Sequence, residues 1–175
     1  MVHVIGISGP SCSGKSTIAT KLKELFPNLT IIHSDDYFKH YKEFPKFNEK
    51  WRHTEIPENI KDDELYKKLK KELTKNKIII IEGYLLYHFK NIVDLINTKI
   101  FIEVSNKNLF CRRINRGGHF SEPDFVKEVV IPSYNKHKKL FKKISDYKIN
   151  GDQNLEKVIK EIFAIVDPII KKELS

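Results

Sequence analysis

The sequence has few cysteines and no long hydrophobic run. Cys12 and Cys111 are the only cysteines among 175 residues, so the chain has no disulfide framework of the kind that small secreted proteins use. No apolar run approaches the roughly 20 residues that cross a bilayer. No basic segment or cleavage pattern precedes the first apolar stretch, so we expect no signal peptide. These absences predict a cytoplasmic protein that does not associate with a membrane.

Internal repeats, low-complexity segments and convincing linkers are also lacking. At 175 residues, the simplest organisation is one domain that spans residues 1–175. The hydrophobic fraction of 40% is typical of a globular protein with a buried core. No pattern in the sequence predicts the oligomeric state.

Acidic residues are fewer than basic ones, 23 against 32, which gives a formal net charge of +9. A nucleic-acid-binding protein would use such an excess in a basic stripe that releases counterions. Here the lysines are mixed with acidic and apolar residues along helices, for example at 67–71 and 138–143, as on solvated helix surfaces. We therefore do not predict a nucleic acid as the main partner. Steeply salt-dependent binding to DNA or RNA would support that alternative.

The most informative segment follows a short apolar stretch at residues 2–8. It matches the pattern G-x-x-x-x-G-K-S and leads directly into helical periodicity. Glycines let backbone N–H groups face a polyphosphate, and the next helix presents its positive end to it. Lys15 would reach the β- and γ-phosphates, and the Ser16 hydroxyl would bind Mg²⁺. The predicted triphosphate site consists of Gly9, Ser11, Cys12, Ser13, Gly14, Lys15, Ser16 and Thr17.

Strands and helices alternate along the chain. The uninterrupted aliphatic run at 77–81 is typical of a strand buried on both faces. Five strands separated by helices predict an α/β fold with three layers, in which helices flank a five-stranded parallel sheet and a small lid is added. The predicted strands are 2–8, 29–33, 77–81, 99–104 and 146–150. The later predicted helices include 92–96, a helix from about 106, one from about 122 through 143, and 155–170.

Carboxylates follow two of the predicted strands. Ligands collect at the carboxyl ends of parallel strands, so Asp35, Asp36 and Glu82 are expected beside the phosphate loop. Asp35 is the candidate base for an attacking hydroxyl, and Glu82 the candidate outer-shell ligand of a metal or substrate. Two alternatives remain open. Asp36 would instead cap the following turn, and Glu82 would instead bond to backbone at its strand end.

An arginine-bearing helix precedes two consecutive glycines. Arg112, Arg113 and Arg116 are spaced so that at least two share one helix face, and guanidinium groups stabilise the charge that phosphoryl transfer spreads. With a hinge at Gly117 and Gly118, residues 112–124 would form a lid that excludes water. The alternative is an exposed, charged helix end.

A polar and aromatic segment at about residues 36–60 has no regular periodicity, and we interpret it as a substrate-binding loop. It holds Trp51, the single tryptophan, together with Tyr41 and His53. Base stacking on these rings is one physically reasonable role. Packing of the loop against the body of the protein is the other, and the sequence does not decide between them.

These motifs resemble the uridine kinase and nicotinamide riboside kinase family of phosphate-loop kinases. The resemblance covers most of the chain. Its most selective marks are Ser-Asp-Asp-Tyr-Phe-Lys at 34–39 and Ile-Glu-Gly-Tyr-Leu-Leu at 81–86. Segments 6–9, 13–17, 112–116, 132–134 and 149–151 complete the series.

The resemblance implies a kinase that uses ATP and Mg²⁺ to phosphorylate the ribose 5′-hydroxyl of a ribonucleoside. It implies that Asp35 takes the hydroxyl proton and that Mg²⁺ lies near Ser16, Asp35 and Glu82. It also implies that Arg113 contacts the ribose or its phosphate and that Arg116 contacts ATP. We group these predictions as catalytic (Asp35, Lys15, Arg116), ATP-binding (Arg112 and Arg116, with the loop) and substrate-binding (Asp35, Asp36, Tyr37, Trp51, Glu55, Glu82, Arg113).

Two features depart from the family pattern. Glu55 stands where the family has an aspartate that binds the ribose diol, and Thr54 stands where an aromatic residue precedes it. The lid also lacks the long basic insertion common in uridine kinases. This compactness, with the Asp-Asp-Tyr-Phe-Lys motif, favours the nicotinamide riboside branch, although the base and the donor, ATP or GTP, are not determined.

Other functions remain open. One is a kinase of similar architecture that acts on a pantetheine-type or nucleotide acceptor. Another is a phosphate-loop switch or motor with a protein partner and no small acceptor, although the sequence lacks an N-K-x-D guanine-binding motif.

Overall fold

A parallel sheet forms the centre of the protein. The computed structural model describes residues 2–118 and 120–174. The strand order is β2-β3-β1-β4-β5, and neighbouring strands in this sheet pair in parallel, which confirms the predicted sheet. The strands are β1 (His3–Ser8), β2 (Thr30–His33), β3 (Ile78–Glu82), β4 (Thr98–Glu103) and β5 (Tyr147–Asn150).

Helices connect the strands and flank the sheet. None of them, within the described part of the chain, is both long and apolar enough to span a membrane. The helices are α1 (Lys15–Leu25), α2 (Asp62–Leu73), α3 (Lys90–Val93), α4 (Asn106–Arg116), α5 (Pro123–Phe125), α6 (Ile131–Ile144) and α7 (Leu155–Leu174).

Two predicted helices differ in detail. The short helix expected at 92–96 occupies Lys90–Val93 instead. Single hydrogen-bonded turns, which do not continue the helix, follow it up to Ile96. The long helix expected from about 122 is present, but Val126–Val130 forms a π-helical segment between α5 and α6. A π-helical turn changes the hydrogen-bond partner of each residue without changing which residues are apolar, so apolar spacing does not predict it.

The core is built around the isoleucine run of β3. Ile78, Ile79, Ile80 and Ile81 are all at most 2% exposed, because β3 lies between β2 and β1 with helices on its faces. Full burial of each such side chain contributes roughly 1.5–3 kcal/mol. The strand is therefore buried on both faces, as its composition predicts.

The carboxyl ends of β2 and β3 approach each other unusually closely. β2 leads into a 3₁₀ turn at Ser34–Tyr37, and β3 leads into Gly83. A Cβ on Gly83 would overlap the Ser34 hydroxyl and lie 2.7 Å from the Ser34 Cβ, so this approach requires glycine. It holds the turn that carries Asp35 beside the end of β3.

Residues 38–60 form an irregular but well-connected loop, as predicted. Antiparallel β-bridges at Phe38–Ile60 and Lys46–Arg52 close the loop, and it contains short 3₁₀ turns. Side chains satisfy its backbone as well. The Asn59 amide donates to the His53 carbonyl at 2.6 Å. The loop lies over the carboxyl edge of the sheet, where it covers one side of a cavity.

Candidate active site

A cavity of about 870 Å³ opens at the carboxyl edge of the sheet. The phosphate loop, defined as residues 9–17, forms one side, and the 38–60 loop forms the other. Most of the side chains predicted from sequence meet here. Those that line the cavity are Ser11, Cys12, Gly14, Lys15, Ser16, Thr17, Asp35, Glu55, Arg112, Arg113 and Arg116.

The phosphate loop has the conformation of an anion cradle. Gly14 has φ +93°, a left-handed conformation that glycine adopts without strain, and α1 begins at the next residue. Lys15 is buried at the cavity edge, and its Nζ donates to the Pro10 carbonyl at 3.0 Å. Backbone N–H groups, a buried cation and the positive end of α1 therefore converge on one point, which suits a polyphosphate.

A carboxylate lies directly behind this cradle. Glu82 is 1% exposed, and its Oε1 accepts a hydrogen bond from the Ser16 hydroxyl at 2.9 Å. His33 Nδ1 lies 2.6 Å from the same oxygen, so the tautomer with a proton on Nδ1 donates to it. The other oxygen, Oε2, is buried and has no hydrogen-bond partner among the described residues.

An unpartnered, buried carboxylate oxygen is costly unless a ligand satisfies it. Beside the Ser16 hydroxyl, it fits a Mg²⁺ ion or a water bound to that ion. No group of three or more His, Cys, Asp or Glu side chains suited to a metal occurs in residues 2–118 and 120–174. A Mg²⁺ held here would take most of its ligands from phosphates and water, as Mg²⁺ usually does.

Sequence analysis missed His33. The residue reaches Glu82 because the two are register partners on adjacent strands, β2 and β3. Knowing that β2 lies next to β3 would have been enough to identify the pair, but the sequence alone does not give the order of the strands.

Asp35 faces the cavity from the turn after β2. Its side chain is exposed to the cavity, yet protein surrounds it on the other sides, and this desolvation raises its pKa. The Lys15 cation opposes that rise, whereas the negative charges of Glu82 and Asp36 add to it. A carboxylate with a raised pKa is a stronger base, which suits proton abstraction from a hydroxyl.

The next two residues do not reach the cavity, contrary to prediction. Asp36 is exposed, and neither Asp36 nor Tyr37 lines the cavity. Tyr37 instead lies near charged residues of α2, such as Lys68. The reason is the 3₁₀ geometry of the turn, which rotates successive side chains by about 120°. Only one of three consecutive side chains can then point inward.

Glu55 and Arg113 form a buried pair at the far side of the cavity. Each is 7% exposed, and Arg113 Nη2 lies 3.5 Å from Glu55 Oε1. Burial raises the pKa of Glu55, and the Arg113 cation opposes this. The guanidinium also donates to the Ser11 hydroxyl and to the Phe120 carbonyl, the latter at 3.1 Å from Nε. Arg113 thus joins the phosphate loop, the 38–60 loop and the predicted lid.

The other two arginines of α4 have different surroundings. Arg112 donates to the Gly151 carbonyl at 2.7 Å, which ties α4 to the end of β5. Arg116 is exposed at the cavity, and its Nη1 lies 3.9 Å from Cys12 Sγ. Arg116 is therefore the guanidinium best placed to turn toward a phosphate. His119, which falls in the predicted lid, lies outside the described residues.

An aromatic wall lines the cavity beside Arg113, and of its rings only Tyr41 was named from the sequence as a candidate for base stacking. Tyr41 packs edge-on against Phe44 at 5.6 Å and in a tilted arrangement against Phe120 at 5.3 Å between ring centroids. Irregular backbone sets the direction of each ring, so spacing in the sequence gave no signal for Phe44 and Phe120. The other lining residues that were not predicted as site residues are Phe38, Lys39, Thr54 and Tyr84, whereas Gly117, Gly118 and Ser121 belong to the predicted lid.

Trp51 is placed outside this wall. Its ring packs against Phe125 at 5.6 Å in a T-shaped arrangement, and Lys50 Nζ lies 4.8 Å from its centroid. Trp51 does not line the cavity, nor do Gly9, Ser13 and Glu82, which are buried. The geometry therefore favours the packing role of Trp51 over the base-stacking role.

A histidine pair lies behind the cavity wall. His88 Nε2 is 2.7 Å from His137 Nδ1, and the His137 ring packs edge-on against Tyr84 at 6.2 Å. Burial lowers the pKa of His88 to about 4, with His137 and Lys136 adding to the effect and Glu58 opposing it. Burial likewise lowers the pKa of His137. Both rings are thus held neutral in the folded protein.

We expect this pair to make the protein less stable in acid. Below the ordinary histidine pKa near 6.5, the unfolded chain binds protons that the folded pair excludes. The free energy of unfolding should therefore fall as the pH drops from about 6.5 to about 4, by roughly 1–2 kcal/mol after allowance for the partial exposure of His88. Urea unfolding across this range measures the effect.

The raised pKa values of Asp35 and Glu55 have the opposite effect on the free energy of unfolding over the same pH range. A variant that lacks one histidine is therefore needed to isolate the contribution of the pair. His88→Gln keeps a side-chain amide near His137 but does not titrate. Its free energy of unfolding should decline less with falling pH than that of the parent protein. Parallel declines in the two proteins would contradict the assignment.

Known proteins resemble this chain in sequence and in fold. Residues 5–150 match the protein family described as AAA domain. The uridine kinase of Borreliella burgdorferi is 30% identical, over 77% of this chain and 75% of that protein. Nicotinamide riboside kinase 2 of Mus musculus is 25% identical, over 79% and 81%. The shikimate kinase structure from Bacteroides thetaiotaomicron, 17% identical, has the same fold with a TM-score of 0.67 over 94% of this chain and 98% of that one.

Proposed function

Because this chain belongs to the uridine kinase and nicotinamide riboside kinase family of phosphate-loop kinases, we propose that it transfers the γ-phosphate of ATP to the ribose 5′-hydroxyl of a ribonucleoside. Kinase activity follows from the family. The acceptor, the 5′ position and the residues that carry out the transfer are the proposal.

One observation carries this proposal. A single cavity joins a polyphosphate cradle to Asp35 and to the buried Glu55–Arg113 pair. Glu55 accepts hydrogen bonds and Arg113 donates them, so together they suit vicinal hydroxyls of a sugar. The aromatic wall offers a flat apolar surface for a base. A ribonucleoside presents both chemical features in one molecule.

The geometry supports an in-line transfer. The 5′-hydroxyl gives its proton to Asp35 while its oxygen bonds to the γ-phosphorus, and the bond from that phosphorus to the β–γ bridging oxygen breaks to release ADP. Lys15 and Arg116 offset the charge on the moving phosphoryl group. A Mg²⁺ near Ser16 and Glu82 would neutralise the phosphate oxygens when bound. Most of the catalysis is then positioning and charge stabilisation.

A panel of acceptors tests the proposal. ADP release is measured with nicotinamide riboside, uridine, cytidine and adenosine, and with the 5′-deoxy form of whichever is used best. We expect one or more ribonucleosides to be phosphorylated and the matched 5′-deoxy compound to be inert. Shikimate belongs in the panel because a protein of the same fold is named for it. Turnover with shikimate and with no ribonucleoside would overturn the proposal.

A further inference from the structure

We propose that Trp51 is a positioning residue that couples the 38–60 loop to the lid through Phe125, the core residue directly after the lid. Through this coupling, the loop that covers the acceptor and the arginine that reaches the phosphate loop move as one unit. The part of the inference that concerns the acceptor depends on the proposed function. The coupling itself does not depend on it.

The 38–60 loop contacts residues 120–125, which comprise the end of the lid and the residue directly after it. The Trp51 ring meets Phe125 at 5.6 Å, and Tyr41 meets Phe120 at 5.3 Å between ring centroids. Lys50 Nζ lies 2.5 Å from the Glu122 carboxylate. We name the six residues the lid clasp: Tyr41, Lys50, Trp51, Phe120, Glu122 and Phe125.

The clasp continues inward to the site. Phe120 packs against Phe125 at 5.8 Å, and its carbonyl accepts a hydrogen bond from Arg113 Nε at 3.1 Å. Arg113 in turn contacts the Ser11 hydroxyl and Glu55. An unbroken series of contacts therefore leads from Trp51, which does not line the cavity, to the phosphate loop.

The backbone before the clasp forms a local turn. Gly117 and Gly118 have φ of +69° and +89°, and a Cβ on either would find no atom within 4 Å. Ser121 donates to the carbonyls of both glycines, which closes the turn, and the clasp contacts tie this turn to the 38–60 loop. Any displacement of Phe120 would also displace the carbonyl that orients Arg113.

Among the clasp contacts, we expect the Trp51–Phe125 contact to contribute most to the coupling. The Lys50–Glu122 pair has side chains 61% and 46% exposed, and such pairs contribute little to stability. Phe125 is 1% exposed, so Trp51 packs against a ring that is part of the core. Trp51 and Phe125 are therefore the residues to change first.

The first experiment uses fluorescence. Trp51 is the only tryptophan in the chain, so its emission reports on the clasp alone. We expect a saturable change in emission when a non-hydrolysable ATP analogue with Mg²⁺ is titrated in, even though Trp51 does not line the cavity. Phe125→Leu should lose most of this change. The control Phe26→Leu, at a ring pair with Phe163, should keep it.

Two results would overturn the coupling: no change in the parent protein, or a full change in Phe125→Leu. Circular dichroism checks that the variants fold. If Phe125→Leu does not fold, Phe120→Leu decides instead, because it removes the ring that contacts both Tyr41 and Phe125. Phe120→Leu should lose most of the response. A full response in Phe120→Leu would contradict the clasp.

The second experiment tests the consequence for catalysis. Trp51→Leu should raise the acceptor KM about tenfold and increase the share of ATP hydrolysed without transfer. The reason is that the 38–60 loop, when it closes over the acceptor, would no longer hold Arg113 in place through the clasp. The ATP KM should change little, and Trp51→Phe should retain most of the coupling. Equal acceptor KM values in all three proteins would overturn this consequence. If no ribonucleoside is phosphorylated, the proposed function fails, whereas the fluorescence result still decides the clasp.

Discussion

Asp35→Asn is expected to lower kcat by about 10²- to 10⁴-fold, the range that general-base catalysis contributes. Asparagine keeps the size of the side chain and its position in the turn after β2, but it cannot accept the hydroxyl proton. ATP binding should be retained, because the phosphate loop and Lys15 are unchanged. Steady-state kinetics, with calorimetric titration of ATP, measure both quantities.

The pH dependence gives this prediction a second test. Desolvation raises the pKa of Asp35, and the base must be deprotonated to act. Turnover of the parent enzyme should therefore fall on the acid side at a pH above the ordinary aspartate pKa near 4. The residual turnover of Asp35→Asn should lack this acid limb. An unchanged limb in that variant would assign the titration to another group.

Asp36→Asn is the matched comparison, because it makes the same chemical change one residue later. Asp36 is exposed and does not line the cavity, so its replacement should leave most of the turnover intact. If Asp36→Asn were inactive and Asp35→Asn active, Asp36 would be the base, and the inward and outward positions of the turn would be reversed.

Lys15→Met is expected to lower kcat by about 10²- to 10³-fold, comparable to the loss of one preorganised donor at a developing charge. Methionine approximates the length of the buried side chain and removes its charge. The protein should remain folded, because the hydrogen bond lost is a single one to the Pro10 carbonyl. Turnover and thermal unfolding measure the two effects separately.

The same substitution should move the titration of Asp35. The Lys15 cation lowers the pKa of Asp35, so its removal should shift the acid limb of the residual activity to higher pH. Lys21→Met on α1 is the control, because Lys21 is exposed and paired with Glu24. A normal acid limb in Lys15→Met would mean that the two groups do not interact.

Much of the site was predictable because it lies directly after buried strands. An aliphatic run such as 77–81 must end where the chain leaves the core, so Glu82 could be placed at the sheet edge without coordinates. The phosphate loop was predictable for the same reason, with a strand before it and a helix after it. In both cases, covalent neighbours determine the position of the functional group.

The remainder depends on contacts between segments distant in the sequence. His33 reaches Glu82 only because β2 and β3 are neighbours in register. Tyr37 turns toward α2 because a 3₁₀ turn, whose hydrogen bonds leave no periodic pattern in four residues, directs it there. The ring of Trp51 packs against Phe125, which lies 74 positions later in the chain. Apolar spacing carries no information about such pairs.

The strand order has a consequence for how the protein is made. β1 is synthesised before the other four strands, yet it occupies the middle of the sheet and pairs with residues 78–82 and 98–101. During synthesis from the N-terminus, the segment that holds the nucleotide loop has no partner strand until those residues leave the ribosome. Such distant pairings also slow folding, since the intervening chain must first be closed into a loop. We therefore expect nucleotide binding to be gained only after both partner strands have been made, although the phosphate loop at residues 9–17 precedes them.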